Sequence, residues 1–390
     1  MHHPNDLSYI LNELAENRDQ YFNAVAPPIS QTSNFTFKKV DELGAALEDE
    51  MSSYLYSRGL NPTVEILRKK LAALDGADDC LVFNSGASAI FAGVLANVKA
   101  GDHIVSVSSP YTWAQRMFDV ILPRFGVTTT YIDGTKIENW EQATQSNTTL
   151  YYLESPNSWF FALQDIRAVA SLAKSKQITT FIDNSYCTPL QQNVIDMGVD
   201  MAMQTATKYI SGHSDTLGGV LSGSRQMIKK IFDSEYLNIG SGIQPFNAWL
   251  LIRGLRTLAA RLERINRSTG ELINYLKQHP RVECIYFPFD ASFSQYELAK
   301  QQMKSAGGLI TFILKDRSRD EIVRFCESLN HFMIAVSWGG HESLICPKCA
   351  GISVADFDAN NPEHRSVRMY VGLEDPVYLV ADLEQALNKK

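Results

Sequence analysis

The fold class is decided by residues 165–208, which read DIRAVASLAKSKQITTFIDNSYCTPLQQNVIDMGVDMAMQTATK. The first twelve residues have the apolar spacing of an amphipathic helix, whereas TTFIDNS (179–185) and DMAMQTAT (200–207) are short apolar runs typical of buried strands. When a helix connects two successive strands, the strands usually pair in parallel, and the helices cover both faces of the sheet. The stretch therefore predicts an α/β fold.

The same alternation continues on both sides of this stretch, over residues 64–330. Apolar helical patterns are VEILRKKLAALDG (64–76) and SGASAIFAGVLANV (85–98), and further strand-like runs are CLVFN, HIVSVSS, TTTYI and TLYYLES. From about residue 245 a helical pattern of more than 30 residues begins, followed by strand-like VECIYF, GGLITFIL and VRMYVGL. We expect a mostly parallel sheet domain and a smaller C-terminal α+β domain.

Length and composition support two globular domains. The chain has 390 residues, and a single core usually stops growing at about 250–300. We expect an N-terminal arm over 1–60, a large domain over 61–245 and a small domain over 246–390. Residues 6–17 read as a short helix within the arm.

Charge and patterning exclude several classes of protein. The net charge of −7 disfavours a nucleic-acid binder, and the longest apolar runs are too short to cross a membrane. No secretory signal is visible at the start of the chain, and six cysteines are too few for a disulfide scaffold, so we expect a cytoplasmic protein. Cys346 and Cys349 form one CxxC without a second ligand pair, and we expect no metal.

Candidate chemical groups lie where predicted strands end. Lys208 follows an apolar strand that ends in Thr205 and Thr207, and Asp183 is at the tip of another. Ser85 and Gly86 form a small-residue turn between a strand and a helix, where free backbone N–H groups can hold a phosphate. In open α/β sheets ligands bind at this edge. The sequence thus offers an amine, a carboxylate and a phosphate cradle on one rim.

These three groups are the parts that pyridoxal 5′-phosphate (PLP) requires. Its aldehyde forms a Schiff base with a lysine, its ring nitrogen stays protonated beside an acidic residue, and its phosphate needs fixed donors. Each group alone is a weak signal. Their order along the chain favours a PLP enzyme.

Eight motifs, from about residue 25 to the C-terminus, extend this interpretation. They are YSRGLNPT (56–63), NSGASAI (84–90), GDHIV with Tyr111 following, YLESP (152–156), DNSYCTP (183–189), TATKYISGHSD (205–215), SWGGHES (337–343) and RMYVGLED (368–375). With these motifs the chain resembles the Cys/Met-metabolism family of PLP enzymes, the cystathionine synthases and lyases. The resemblance implies PLP fold type I, the aspartate aminotransferase-like fold, and a homo-oligomer that is usually a dimer of dimers.

The resemblance also implies roles for individual residues. Lys208 is the Schiff-base lysine and α-proton base, Asp183 pairs with the ring nitrogen, and Tyr111 stacks on the ring close to the leaving sulfur. Arg368 binds the substrate α-carboxylate. The phosphate is held by Ser85, Gly86, Ala87, Thr205 and Thr207, and by Tyr56 and Arg58 of the neighbouring subunit, and Ser337 lies beside the substrate carboxylate. Apart from the resemblance, we expect Trp338 to line the substrate site.

One departure from the family pattern follows the ESP motif. Many relatives have Asn-Pro where this chain has Ser158 and Trp159. The usual asparagine contact to the ring oxygen of the cofactor is therefore missing, which leaves Ser158 or a water molecule to replace it.

Local details bear on the reaction within the family. Trp338 replaces a leucine common in γ-acting relatives, and Tyr111 is followed by Thr-Trp-Ala-Gln, as in the bacterial cystathionine β-lyase branch. A methionine γ-lyase would usually carry a cysteine near Trp113. In contrast to these features, which favour a β-lyase, the motif Arg58-x-x-Asn61-Pro-Thr has the form found in γ-synthases, γ-lyases and sulfhydrylases. We expect β-elimination from cystathionine or a similar amino acid; the alternative is a cystathionine γ-synthase or O-acyl-homoserine sulfhydrylase.

Overall fold

The computed structural model describes residues 6–389 and contains two sheets. The strands are β1 (Asp79–Phe83), β2 (His103–Val107), β3 (Thr128–Ile132), β4 (Thr148–Glu154), β5 (Thr179–Asp183), β6 (Met201–Thr205), β7 (Gly219–Gly223), β8 (Val282–Tyr286), β9 (Leu309–Leu314), β10 (Met333–Ile334), β11 (Leu344–Pro347) and β12 (Ser366–Tyr370).

Helices surround both sheets. They are α1 (Leu7–Asn12), α2 (Val40–Glu48), α3 (Pro62–Asp75), α4 (Gly86–Leu95), α5 (Thr112–Arg116), α6 (Ile137–Ala143), α7 (Ile166–Ser175), α8 (Thr188–Gln191), α9 (Arg225–Ile231), α10 (Leu237–Ile239), α11 (Pro245–Arg256), α12 (Leu258–Gln278), α13 (Tyr296–Gln302), α14 (Arg319–Glu327) and α15 (Pro376–Leu387).

The seven-stranded sheet has the order β1-β7-β6-β5-β4-β2-β3. The pairs β2–β3, β2–β4, β4–β5 and β5–β6 are parallel, and β7 is antiparallel to both β6 and β1. Strand β4 is buried along almost its whole length, as expected for a parallel strand covered on both faces. The predicted α/β fold with a mostly parallel sheet is confirmed, although β7 (GVLSG) was not predicted as a strand.

The second sheet has the order β10-β11-β12-β9-β8 and is mostly antiparallel. Its strands β8, β9 and β12 correspond to the three C-terminal runs singled out in the sequence, whereas β10 and β11 were missed. Strand β10 has only two residues, both exposed, and therefore carries no apolar pattern.

The helical pattern between the sheets forms two helices instead of the single long helix that we predicted. Helix α11 ends at Arg256 and α12 begins at Leu258, because Thr257 adopts φ −107° and ψ 3°, outside the α-helical region. The Thr257 hydroxyl accepts a hydrogen bond from the Arg261 side chain (3.1 Å). The apolar period runs through the break, so the sequence pattern did not reveal it.

The N-terminal segment packs partly on its own subunit. Helix α1 spans six residues, shorter than the predicted helix over 6–17, and its Ile10 and Leu11 are buried in a core shared with α3. The Glu16 side chain is fully buried and forms ion pairs with Lys70 (3.1 Å) and Arg256 (3.0 Å). The segment that follows is exposed at many positions before α3 begins. Within residues 6–389, no helix is both long and apolar enough to span a membrane.

Candidate active site

The candidate site forms where β4, β5 and β6 end side by side. Glu154, the last residue of β4, is paired in register with Asp183, the last residue of β5. Thr205 ends β6, and its backbone N–H donates to the Ser185 hydroxyl (2.7 Å). Since the carboxyl ends of parallel strands meet at one edge, the strand-end residues found in the sequence do come together.

Lys208 lies in the turn after β6, where its backbone N–H donates to Thr205 O (3.2 Å). Its amine donates a hydrogen bond to the Ser337 hydroxyl and lies 5.5 Å from the centre of the Trp338 ring. Burial, assisted by the positive charge of Arg368, lowers the pKa of Lys208 to about 8, while Asp183 acts in the opposite direction. A substantial fraction of this amine is therefore neutral near physiological pH.

Asp183 is buried, and one of its oxygens accepts the backbone N–H of Ser185 at 2.9 Å. Burial raises the pKa of this carboxyl, whereas the Ser185 hydrogen bonds and the Lys208 charge oppose the rise. Because burial disfavours the charged form of this carboxyl, a cationic partner stabilises that form strongly. A protonated ring nitrogen is such a partner.

The amino end of α4 forms the opposite side of the site. The Ser85 hydroxyl caps this helix by accepting the Ser88 backbone N–H (3.2 Å). A Cβ at Gly86 would lie 2.7 Å from Thr205 Cβ, so only glycine lets the helix end approach β6 this closely. Free N–H groups and the helix dipole at such an end attract phosphate.

The two predicted threonines and Ala87 border the same helix end. Thr207 Oγ1 accepts the backbone N–H of Gly218 (3.1 Å), which fixes its side chain, and Thr205 Oγ1 donates to Gly218 O (3.3 Å). Ala87 is exposed in the first turn of α4. These positions match an anion cradle.

Tyr111 lies at the start of α5 and is held by Glu154, a residue whose role the sequence reasoning missed. The Tyr111 backbone N–H donates to Glu154 Oε2 (2.6 Å), and the residue is 40% exposed. Burial, then the charge of Asp183, raises the pKa of Glu154 to about 7, against the hydrogen bonds from Ser158 and Tyr111. The position of Glu154 at a strand end beside Asp183 was the available signal.

Ser158 contacts Glu154 as well. Its hydroxyl and its backbone N–H donate to Glu154 Oε1 at 2.6 and 2.8 Å. The hydroxyl that we considered as a replacement for the missing asparagine is therefore bonded to a carboxylate of the protein.

Arg368 projects from β12 of the second sheet. Its guanidinium carbon lies 4.9 Å from the centre of the Trp159 ring, and the side chain is half-buried. Burial lowers the pKa of Arg368. Ser337, which receives the Lys208 hydrogen bond, has φ +87°, a strained conformation for a residue other than glycine.

A cavity of about 1080 Å³ connects several of these groups. It is lined by residues of the helix cradle, of the turn after β6 and of the Ser337 loop, including Ser85, Thr207, Ser337 and Trp338. Tyr56 and Arg58 are not among the residues that line this cavity. Both are exposed, with the Arg58 guanidinium 5.3 Å from the Tyr56 ring centre. Among residues 6–389, their hydrogen bonds, ion pairs and ring contacts do not reach Lys208 or Asp183.

The described groups fit PLP. A helix end that only glycine allows to approach β6 suits the phosphate, buried Asp183 suits the ring nitrogen, and the half-buried Lys208 amine is nucleophilic at moderate pH.

Comparison with known proteins agrees with this arrangement. Residues 10–388 match the family model described as Cys/Met metabolism PLP-dependent enzyme. The chain belongs to this family. PLP is therefore its cofactor, as the sequence predicted, and the expected membership is confirmed.

Relatives within the family carry out different reactions. An L-methionine gamma-lyase from Treponema denticola is 36% identical over 94% of this chain and 93% of its own length. Cystathionine gamma-synthase 1 from Arabidopsis thaliana is 34% identical over 94% of this chain and 65% of its own length. An O-succinylhomoserine sulfhydrylase from Mycobacterium tuberculosis is 32% identical over 94% of this chain and 92% of its own length. The crystal structure of MetB from Corynebacterium glutamicum superposes with a TM-score of 0.90, at 30% identity and 99% coverage of both chains. The chain is thus a PLP-dependent trans-sulfuration enzyme of fold type I.

Proposed function

We propose that this protein is a carbon–sulfur lyase that removes the β-substituent of a thio amino acid such as cystathionine. The products are pyruvate, ammonia and a thiol. The contact between Trp338 and the Lys208 amine carries this proposal.

Lys208 is the proposed attachment residue and base. When bound, PLP withdraws electrons from the substrate α-carbon and makes its proton acidic. The Lys208 amine, with its pKa lowered to about 8, is neutral often enough to accept that proton, and Ser337 orients it by accepting its hydrogen bond. Asp183 supplies the negative charge that keeps the ring nitrogen protonated.

Arg368 and Tyr111 are proposed to position the substrate. The guanidinium of Arg368 has two parallel donors for the α-carboxylate, and no carboxylate among residues 6–389 forms an ion pair with it. The Tyr111 hydroxyl lies near the leaving sulfur in this proposal. Ser85, Gly86, Ala87, Thr205 and Thr207 hold the phosphate.

The proposed preference for the β-carbon rests on the aromatic side chains around the Lys208 amine. Chemistry at the γ-carbon requires a second deprotonation at Cβ, so the base must move between two carbons. The Trp338 ring flanks the Lys208 amine and packs edge-on against Tyr209 at 5.3 Å, with Tyr186 at 6.2 Å. A ring fixed in this way restricts movement of the amine and of the substrate, which favours loss of the thiolate from Cβ.

A second candidate is a γ-acting enzyme, a synthase, sulfhydrylase or lyase. The similarity to a methionine gamma-lyase and a cystathionine gamma-synthase favours it. In that case Trp338 would have to permit the second deprotonation.

L-Cystathionine separates the two candidates within one reaction mixture. Cleavage at the β-carbon gives pyruvate and homocysteine, and cleavage at the γ-carbon gives 2-oxobutyrate and cysteine. We expect pyruvate to dominate, and Trp338→Leu to raise the share of 2-oxobutyrate, with Trp338→Phe as the control that keeps a ring. Methionine and the O-acetyl and O-succinyl esters of homoserine complete the substrate set. Dominant 2-oxobutyrate, or cystathionine synthesis with negligible pyruvate from any β-thio substrate, would favour the γ-acting enzyme instead.

We also propose that the protein acts as a homo-oligomer. Tyr56 and Arg58 are exposed on a loop before the large sheet, which suits residues that complete the phosphate site of a second subunit. Mixing of two inactive variants, described in the Discussion, tests this arrangement.

A further inference from the structure

Two cationic side chains lie close to the Trp159 ring. The Lys348 amine lies 4.3 Å and the Arg368 guanidinium carbon 4.9 Å from its centre. All three side chains are half-buried. Such contacts are favourable when they are desolvated, but a ring does not neutralise two positive charges.

Neither cation has an anionic partner among the residues that the structure describes. Across residues 6–389, no ion pair and no side-chain hydrogen bond involves the Lys348 amine or the Arg368 guanidinium. Arg365, three residues before Arg368, is instead buried against Glu283 (2.7 Å). Lys277, another cation of the small domain, is paired with Asp290 (2.8 Å). Unpaired cations that are partly desolvated are costly, so their presence here indicates an anionic ligand.

The fold holds the pair in place. Cys346 is the register partner of Arg368 on neighbouring strands, and Lys348 follows it directly after β11. Trp159 adopts φ +71°, a strained conformation, and the next residue, Phe160, packs edge-on against Tyr286 of β8 at 5.0 Å. The loop after β4 is therefore anchored on β8, with the centre of its indole close to both cations.

The charges exceed what one amino-acid carboxylate can neutralise. The α-carboxylate of a substrate occupies the forked guanidinium of Arg368 and leaves Lys348 without a partner. Burial lowers the pKa of Lys348, and the charge of Arg368 adds to this effect, while Glu363 opposes it. Glu363 is exposed and forms no ion pair with Lys348. A second anionic group would balance the site.

We propose that Lys348 and Arg368, together on Trp159, select substrates that carry a second carboxylate, with Arg368 binding the α-carboxylate and Lys348 binding the other. The substrate class is a β-thio amino acid whose departing thiol carries a carboxylate. This inference rests on the proposed function for the reaction, but the two-cation site itself can be tested by binding alone.

The activity test uses two substrates of similar size, S-(2-carboxyethyl)-L-cysteine and S-propyl-L-cysteine, with the holoenzyme and pyruvate release as the readout. Lys348→Met should lower kcat/KM for the carboxylated substrate by about tenfold or more and change that for the propyl substrate less than about twofold. Lys348→Arg should restore most of the loss. Lys300→Met is the matched control, because Lys300 also lies over a ring (Tyr296, 4.9 Å) but on the surface. An equal loss with both substrates, or no loss, would refute the proposal.

The binding test separates this inference from the proposed reaction. Calorimetric titration of the holoenzyme with glutarate and with butyrate should show about tenfold tighter binding of the dicarboxylate, and Lys348→Met should abolish that preference while Lys300→Met keeps it. If neither cysteine derivative releases pyruvate, the β-elimination proposal fails, and the glutarate preference still decides the two-cation site. Equal affinity of the wild type for the two acids overturns the site.

Discussion

The lowered pKa of Lys208 leads to a quantitative prediction for the apoenzyme. Covalent uptake of PLP requires the neutral amine, and burial together with Arg368 lowers the pKa of Lys208 to about 8, from an ordinary value of 10.5. At pH 7.5 the neutral fraction is then about a quarter, against about 0.1% for an ordinary lysine, a difference of about 200-fold. We expect the rate of PLP uptake, followed by absorbance after mixing, to rise with pH and to level off above about pH 8.

Arg368→Met provides the internal check of this prediction. Removing the guanidinium should move the midpoint upward, because Arg368 is the second cause of the lowered pKa. Burial is the larger cause, so the midpoint should stay below that of a free lysine. A midpoint near pH 10.5 in the wild type would show that the Lys208 environment does not disfavour its charge, and the argument for this base would fail.

Other substitutions test the remaining assignments. Lys208→Ala should keep the circular dichroism spectrum and lower turnover by on the order of 10³-fold or more, and normal turnover would exclude Lys208 as the base. Inactive Arg58→Ala and inactive Lys208→Ala, refolded together, should regain part of the activity because some mixed dimers hold one intact site; no recovery in verified mixed dimers would mean that the site is not shared. Glu154→Gln places an amide donor against the Tyr111 N–H or the Ser158 donors, so denaturant titration should show a loss of about 1–3 kcal/mol and kcat should fall, whereas unchanged values would contradict the positioning role.

The fold class followed from the sequence alone, and so did the expectation that the candidate groups at strand ends lie at one edge of the sheet. Strand runs are short and apolar, helices have their own period, and groups at the ends of parallel strands must share one edge of the sheet. Asp183 and the turn holding Thr205 and Lys208 were therefore found without coordinates. The family motifs added the remaining positions, among them Tyr111, whose pKa is raised by burial and then by the charge of Asp183.

The apolar pattern of the sequence did not reveal local irregularities of the backbone. The break at Thr257 leaves the apolar period of α11 and α12 unchanged, and β10 is too short and too exposed to have a period. These features depend on a single backbone dihedral or on neighbouring strands. Periodicity reports burial, so it does not detect them.

Only the tertiary structure decided which further side chains lie against the candidate site residues. Glu154 accepts donors from two loops, and Trp159, in the loop after β4, lies against Lys348 and Arg368 of the second sheet and its connections. In sequence, Lys348 is an ordinary charge after a CxxC segment, nearly 190 residues from Trp159. Its proposed role depends on the path of the loop after β4 and on the packing of two sheets. Contacts between residues so distant in the chain are set by the packing of whole elements, which no local pattern of residues encodes.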